Sequence, residues 1–199
     1  MTRASFFIES NNMNVKSLLN IENTRELLRK LVKFVKNPLK FFQENKDTEE
    51  QLLDFMTLII RLSAVISALF NLALAREPIR VLIIVFLVTV LLARVVAVIY
   101  LFIFPRILNF FVSIITRKDD LLAAKRIFAY SSPVSLIHPI PIIGFLTPFL
   151  AITLYTIGIS KQYNLSFPKS FLIAVLPLII LGMLAYFLLG AQETLNIFF

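Results

Sequence analysis

Two arginines lie inside apolar runs of this chain and are the side chains best suited to binding an anion there. Arg61 and Arg94 are each expected roughly 12 to 15 Å from the nearer membrane surface, counting 1.5 Å per residue. A charge at that depth costs at least ~2.5 kcal/mol on insertion scales. Each guanidinium either extends along its helix to the headgroups or points into a helix bundle. In a bundle it would bind a lipid headgroup, freed backbone carbonyls or an acid of another subunit. Asp54 is expected at the surface, so the sequence offers no acid at the depth of either arginine.

Other polar side chains in the apolar runs favour helix contacts. Ser63, Ser67 and Asn71 recur at four-residue spacing, which predicts close helix packing or a polar contact within the membrane. His138, the one histidine of the chain, lies beside prolines. It is either a satisfied polar group at an interface or a ligand or proton relay, and the sequence leaves both readings open.

The sequence contains no recognisable enzyme site. It has no cysteine, one histidine and none of the HExxH, Walker or GxSxG patterns that mark zinc proteases, nucleotide hydrolases and serine hydrolases. The acidic residues cluster outside the apolar runs. We therefore predict that the protein is not an enzyme and uses no cofactor or metal.

Composition predicts an all-α integral membrane protein. The chain is 58% hydrophobic with a mean hydropathy of +0.85, and several apolar runs reach the roughly 20 residues that cross a bilayer as a helix. The net charge of +8 comes from basic residues beside those runs. This position favours anionic membrane lipids, and not nucleic acid, as the partner.

Residues 1–50 are polar and are predicted to form a cytoplasmic segment containing a basic amphipathic helix at 23–36. Asn23 with Glu26 resembles a capping box, and Pro38 is expected to stop the helix. Leucines and valines occupy one side of it. The other side carries Arg25, Arg29, Lys30, Lys33 and Lys36. Such a helix either lies on an anionic leaflet or packs on the bundle as an ordinary solvated helix.

Residues 51–190 are predicted to form a membrane domain of five transmembrane helices, followed by a tail at 191–199. The apolar blocks at 81–116 and 131–160 are each too long for one straight crossing, so either one could cross twice. Residues 25–50 carry seven Lys or Arg and the loop at 117–126 carries four more. The positive-inside rule places both on the cytoplasmic side. The earlier block then crosses once, and the C-terminus lies opposite the cytoplasmic N-terminus.

The prolines are predicted to delimit a short pair, spans three and four. Pro133 and Pro148 suit the first turns of the incoming and outgoing helices, where a missing donor costs little. The reversal between them is assigned to Pro139, Pro141 and Gly144, with His138 at its entrance. Pro105 is expected to end span two, and residues 106–116 to run along the inner interface.

Four segments occur in this order along the chain: NPLKFF (37–42), FAYSSPVSLI (128–137), PIPIIG (139–144) and YTIGISKQYNLSFPKSFLIAVLP (155–177). Together they resemble the Yip domain family, polytopic membrane proteins that interact with Rab-type (Ypt) GTPases. The matching positions are Tyr130, Pro133, Pro141, Gly144, Gly158, Ser166 and Pro177. The resemblance covers roughly residues 37–190 and implies five spans with a cytoplasmic N-terminus.

The resemblance also implies a non-catalytic scaffold or adaptor in membrane organisation or vesicle traffic. Its partners would be other membrane proteins, further copies of the chain, or a small GTPase. The trafficking members of the family carry a longer N-terminal region rich in tyrosine and glycine, where this chain has a short charged segment. Alternatives from the residues themselves are a lipid or small-solute transporter or scramblase, and an accessory subunit of a larger membrane complex.

Overall fold

The computed structural model describes residues 21–74, 78–140, 142–177, 179–180 and 183, and all regular structure within these ranges is helical. This confirms the all-α prediction for the described residues. The α-helices are α1 (Ile21–Lys36), α2 (Pro38–Glu44), α3 (Glu49–Ala73), α4 (Ile79–Thr116), α5 (Leu121–Ser131), α6 (Thr147–Tyr163) and α7 (Phe167–Pro177). Two 3₁₀-helices, Ser132–Leu136 and Ile143–Leu146, lie between α5 and α6.

Within the described ranges, three helical stretches are long and apolar enough to cross a membrane: Glu49–Ala73, Ile79–Thr116 and Ile143–Tyr163. The third stretch consists of the second 3₁₀-helix and α6 together. The chain is therefore compatible with a membrane-embedded protein. The apolar helix α7 is shorter. The tail at 191–199, the final part of the predicted last span and residues 1–20 lie outside the described residues.

Local sequence signals account for the starts of α2 and α3. Asn37 caps α2 by accepting a hydrogen bond from the backbone N–H of Lys40 at 3.0 Å, and Pro38 occupies the first turn, where its missing donor costs nothing. Thr48 and Gln51 form a capping box at the start of α3. The capping box expected at Asn23 was wrong, because α1 begins at Ile21 and includes Asn23 as a helical residue.

Helix α4 passes through Pro105 and continues to Thr116, so the predicted break at this proline was wrong. A proline inside a helix removes one backbone hydrogen bond and costs about 3 kcal/mol. The buried residues of α4 recur every three or four positions on both sides of the proline: Ala93, Ala97, Leu101, Pro105, Leu108 and Val112. Burial of this continuous stripe offsets the cost. Residues 106–116 are therefore part of one 38-residue helix.

An aromatic cluster joins α1, α2 and α3 to α5. It comprises Phe34, Phe41, Phe42, Phe55 and Tyr130, all buried. The Tyr130 ring lies 4.8 Å from that of Phe41 and 6.1 Å from that of Phe55, both edge to face, a geometry that adds roughly 0.5–1.5 kcal/mol per pair to area burial. The cluster fixes α1 and α2 against the end of the bundle where α3 begins.

The proline segment contains one element that was expected and one that was not. Pro148 lies in the first turn of α6, as predicted. Pro133 instead lies in the first turn of a 3₁₀-helix, and the α-helix leading into it, α5, begins earlier at Leu121 with Asp120 as its cap. The chain turns between Ile137 and Ile142, and Ile142 adopts a positive φ of 69°. Pro141 lies outside the described residues.

Helix α7 closes the other side of the bundle. Ile173 and Ala174 are buried with Leu108 and Val112 of α4 and Ile159 of α6 in a second apolar cluster. Asn164, with a positive φ of 54°, ends α6 and turns the chain into α7. Residues from α4 to α7 therefore share one core, while the aromatic cluster joins α1, α2, α3 and α5.

Candidate functional site

Arg94 is paired with an acid, which corrects the expectation that none lies near it. Its Nη1 donates to Asp54 Oδ1 at 3.0 Å across the α3–α4 interface. The Asp54 side chain is 25% exposed and that of Arg94 52%. Asp54 was expected at the surface, seven positions before Arg61. The antiparallel packing of α3 on α4 brings it instead beside an arginine 40 positions away.

Arg61 has a different environment. Its side chain is half-buried, and its Nε is buried without a hydrogen-bond partner in the part of the chain that the structure describes. A buried donor left unpaired costs about 1–3 kcal/mol, and more for a charged group. Among the described residues, Asp54 pairs with Arg94 and not with Arg61. The two arginines, which look alike in the sequence, therefore differ in the structure: Arg94 has an acidic partner, and Arg61 has an unpaired Nε among the described residues.

The polar stripe of α3 lines a cavity of about 660 Å³ between α3, α4, α6 and the segment that follows α5. Ser63 Oγ donates to the carbonyl of Ser135 at 3.2 Å. Asn71 Nδ2 donates to the Ser67 carbonyl at 2.9 Å and lies 3.3 Å from the Ser67 hydroxyl. The stripe bonds to the segment that follows α5 and faces the cavity.

His138 also borders this cavity, beside Pro139, and its side chain is exposed. The backbone carbonyl of His138 lies close to Gly144 on the other side of the turn. A Cβ built on Gly144 would lie 2.3 Å from that oxygen, so this close backbone contact requires glycine at position 144. The described residues contain no group of three or more His, Cys, Asp or Glu that could hold a metal ion.

The predicted basic face of α1 is exposed apart from one residue. Arg25, Arg29, Lys33 and Lys36 are exposed, but Lys30 is turned inward and its Nζ bonds Asp47 Oδ1 at 3.0 Å. Lys30 is therefore not part of the exposed face. The helix packs on the bundle through Leu27, Leu31 and Phe34.

Three apolar residues of α1 remain outside this packing. Leu28, Val32 and Val35 are 40%, 53% and 71% exposed. We call these three residues, together with Arg25, Arg29, Lys33 and Lys36, the α1 surface. It combines exposed valines and leucine with four positive charges on a helix that is held in place from its other side.

Asp47 connects α1 to α5 and was not identified from the sequence. It is buried, accepts from Lys30, and its backbone carbonyl accepts from Arg126 Nε at 3.1 Å. Burial, together with the nearby charge of Asp47, raises the pKa of Tyr130 above its ordinary value of 10.0. The contacts of Asp47 span 17 and 79 positions, so no local pattern predicts them.

The family-motif positions mostly serve packing. Tyr130 is the centre of the aromatic cluster. Gly158 admits Phe42, since a Cβ there would lie 2.9 Å from Phe42 Cε1. Ser166 caps α7 through a bond from the backbone N–H of Ser170 to its carbonyl at 3.0 Å, and Pro177 lies in the same helix. These positions would maintain the fold whatever the protein binds.

Comparison of the chain with protein-family models, with curated proteins and with solved structures gives no match. Similarity to the Yip domain family therefore stays a prediction that rests on the motif residues.

Proposed function

We propose that the protein is a non-catalytic integral membrane scaffold or adaptor, which acts in membrane organisation or vesicle traffic by binding protein partners through the α1 surface. The observation that carries the proposal is that one side of α1 packs on the bundle while the rest of the helix is exposed. Leu27 and Phe34 are buried in the bundle, while Val32 and Val35 are exposed on the same helix as four exposed basic side chains. Exposed apolar residues beside charges are typical of interaction sites.

The α1 surface is held rigidly, which suits recognition. The Lys30–Asp47 ion pair and the Phe34–Phe41 ring contact, with centroids 5.6 Å apart, anchor the opposite face. A partner that binds a pre-ordered helix does not have to supply the free energy of ordering it. Four positive charges favour an acidic partner surface and increase its association rate. They also favour a position next to an anionic leaflet.

The proposal includes the five-crossing topology, with a cytoplasmic N-terminus and the C-terminus on the opposite side. The positive-inside argument supports it, and the basic α1 surface would then face the cytoplasm. Single cysteines at Lys118 and Gln192 of this cysteine-free chain test it with a membrane-impermeant thiol reagent. Labelling at Gln192 alone in intact cells is expected. Labelling at Lys118 would show that the proposed sidedness is wrong.

The Yip resemblance indicates which partners to test first. It implies small GTPases, related membrane proteins or further copies of this chain. The short charged N-terminal segment differs from that of the trafficking members, so the α1 surface would supply the contact in its place.

The experiment is site-specific photo-crosslinking in native membranes. A photoreactive residue at Val32, the centre of the α1 surface, is expected to yield a defined protein adduct that mass spectrometry identifies. Adducts with lipid alone would contradict an adaptor function and would leave α1 as a membrane-surface helix.

A charge-matched pair of variants links that adduct to the α1 surface. Replacing all four basic residues of the surface by glutamine is expected to abolish the protein adduct. The control replaces four exposed basic residues elsewhere by glutamine: Lys40, Lys46, Arg117 and Lys169. Equal loss of the adduct in both variants would indicate a general charge effect and would refute a specific surface.

A further inference from the structure

Arg61 is a positive charge that has no partner in the part of the chain that the structure describes. It lies on α3, a helix long and apolar enough to cross a membrane, about 18 Å from the start of that helix at Glu49. Its guanidinium makes no hydrogen bond and no ion pair with a described residue. Because an arginine in a protein does not lose its proton, only an anion can compensate this charge.

The two ends of the guanidinium differ in their access to the surroundings. Nε is buried and unpaired, but Arg61 as a whole is only half-buried. The terminal nitrogens, Nη1 and Nη2, are not among the buried unpaired atoms of the described residues. These two nitrogens are therefore the open end of the side chain, and a ligand reaches them without entering a sealed space.

The acid on the same face of α3 already has a cation of its own. Asp54 precedes Arg61 by seven positions, which is about two helical turns, so the two residues share a face of the helix. Asp54 Oδ1 accepts from Arg94 Nη1 at 3.0 Å. We call Arg61, Asp54 and Arg94 the α3 charge cluster. It contains two guanidiniums and one carboxylate, so one positive charge is not balanced.

The membrane-length helices supply no second acid. After Asp54, the described part of α3 contains no Asp or Glu, and neither do α4, α6 and α7. A second copy of the chain would present the same helices and the same Asp54, which is already paired. The missing anion is therefore a small molecule, a lipid or an acid of a different protein.

A phosphate ester fits the open end of this guanidinium. Nη1 and Nη2 present two parallel N–H donors, a geometry that matches two oxygens of one phosphate. A helix that crosses a membrane is surrounded by phospholipids, whose phosphates lie near the level of its ends. Because helical side chains lean toward the N-terminus, the guanidinium is expected on the side of Arg61 where Asp54 and Arg94 lie.

The unbalanced charge selects among phospholipids. Phosphatidylcholine carries a cation together with its phosphate, so it leaves the net charge of the α3 charge cluster unchanged. Phosphatidylglycerol carries one negative charge and neutralises the cluster. Charges interact more strongly in a low dielectric than in water, so the anionic lipid is favoured.

We propose that Arg61 binds the phosphate of an anionic phospholipid end-on, through Nη1 and Nη2, beside the Arg94–Asp54 pair. The site lies on α3 and is separate from the α1 surface. It does not depend on the adaptor function, so either can fail without the other.

The test is native mass spectrometry of the full-length protein released from nanodiscs with equal amounts of phosphatidylcholine and phosphatidylglycerol. The parent is expected to retain phosphatidylglycerol in preference to phosphatidylcholine. Arg61→Leu is expected to lower this retention about tenfold or more, the effect of losing a charge-assisted hydrogen bond. A parent without preference for the anionic lipid would overturn the proposal.

A charge-matched control is Arg80→Leu, which removes an exposed arginine near the start of α4 and is expected to retain lipid as the parent does. Equal loss of phosphatidylglycerol in both variants would indicate a general charge effect and would overturn the proposal. Arg61→Lys keeps the charge but not the paired donors, so its retention is expected to be intermediate. Full retention by this variant would refute the end-on contact.

Thermal unfolding in detergent micelles separates lipid binding from a structural role. Without anionic lipid, Arg61→Leu is expected to melt at or above the temperature of the parent, because it loses only an uncompensated charge. Added phosphatidylglycerol is expected to raise the melting temperature of the parent and not that of the variant. A lower melting temperature of the lipid-free variant, or equal stabilisation of both proteins, would overturn the proposal.

Two other outcomes would assign the anion to a different source. Stabilisation of the parent by inorganic phosphate as strong as that by phosphatidylglycerol would indicate a free anion and would refute a lipid site. A protein that stays bound to the parent from native membranes, without anionic lipid, and is lost in Arg61→Leu would indicate an acid of a partner and would refute it as well.

Discussion

Replacing Arg94 by leucine is expected to destabilise the folded protein, whereas the same substitution at Arg61 is expected to be neutral or stabilising. Arg94→Leu leaves the Asp54 carboxylate, three-quarters covered, without the donor now 3.0 Å away. Arg61→Leu removes a buried Nε that has no hydrogen-bond partner among the described residues. The two substitutions are chemically identical and both lie in membrane-length helices, so each serves as the control for the other.

The size of the effect follows from the burial of the pair. Ion pairs open to water contribute about 0.2–1 kcal/mol, and removing one partner of a fully buried pair costs about 3–5 kcal/mol. The Asp54 side chain is 25% exposed, so this pair is neither open to water nor fully buried. The expected loss of stability for Arg94→Leu is therefore intermediate, about 2 kcal/mol. For Arg61→Leu, the expected change is a gain of up to about 1 kcal/mol, since the penalty of an unpaired donor is removed.

The assay is equilibrium unfolding of the purified protein in mixed micelles by increasing sodium dodecyl sulfate. Because the chain has no tryptophan, far-ultraviolet circular dichroism or pulse proteolysis reports the folded fraction. A double-mutant cycle with Asp54→Asn isolates the pair and is expected to give a coupling of about 2 kcal/mol. A coupling below about 0.5 kcal/mol, or equal losses from the two arginine variants, would refute the reasoning.

Three further predictions concern the contacts that join the helices. Gly158→Ala is expected to lower the stability of the folded protein by about 1 kcal/mol net, because overpacking against Phe42 exceeds the gain in helix propensity. Thermal unfolding in detergent measures this change, and a gain in stability would contradict the prediction. Lys30→Met removes the ion pair that joins α1 to the buried Asp47 carboxylate, so protease cleavage within α1 is expected to increase. Unchanged cleavage would contradict this prediction. For Tyr130, the folded pKa is raised above 10.0, so only the unfolded state loses this proton as the pH rises past that value. Stability should therefore fall above about pH 10, less steeply in Tyr130→Phe; identical pH profiles would show that Tyr130 does not contribute.

Part of the fold could be predicted because its signals are local. Pro148 lies in the first turn of α6 as its missing donor requires, and the basic residues of α1 segregate to one face with the exception of Lys30. The capping box assigned to Asn23 failed although the pattern was present, because α1 begins earlier. The break assigned to Pro105 failed because the buried stripe of α4 runs through it.

The candidate sites were predicted less completely than the elements that carry them. The four-residue spacing of Ser63, Ser67 and Asn71 identified a polar face but not the cavity it borders. Arg61 and Arg94 looked alike in sequence because each is one charge in an apolar run. Only the packing of α3 on α4 distinguished them, by bringing Asp54 to one and not to the other.

The sequence by itself determined that this chain is helical and suited to a membrane, since hydropathy and run length depend only on composition along the chain. The tertiary structure decided which charges are paired, where the helix continues through a proline, and where a cavity remains. These outcomes depend on contacts between residues such as Arg94 and Asp54 or Arg126 and Asp47, which lie 40 and 79 positions apart. Their free energies are set by burial and by distances of about 3 Å, as in the 3.0 Å bond from Arg94 to Asp54, and the packing of whole helices fixes both.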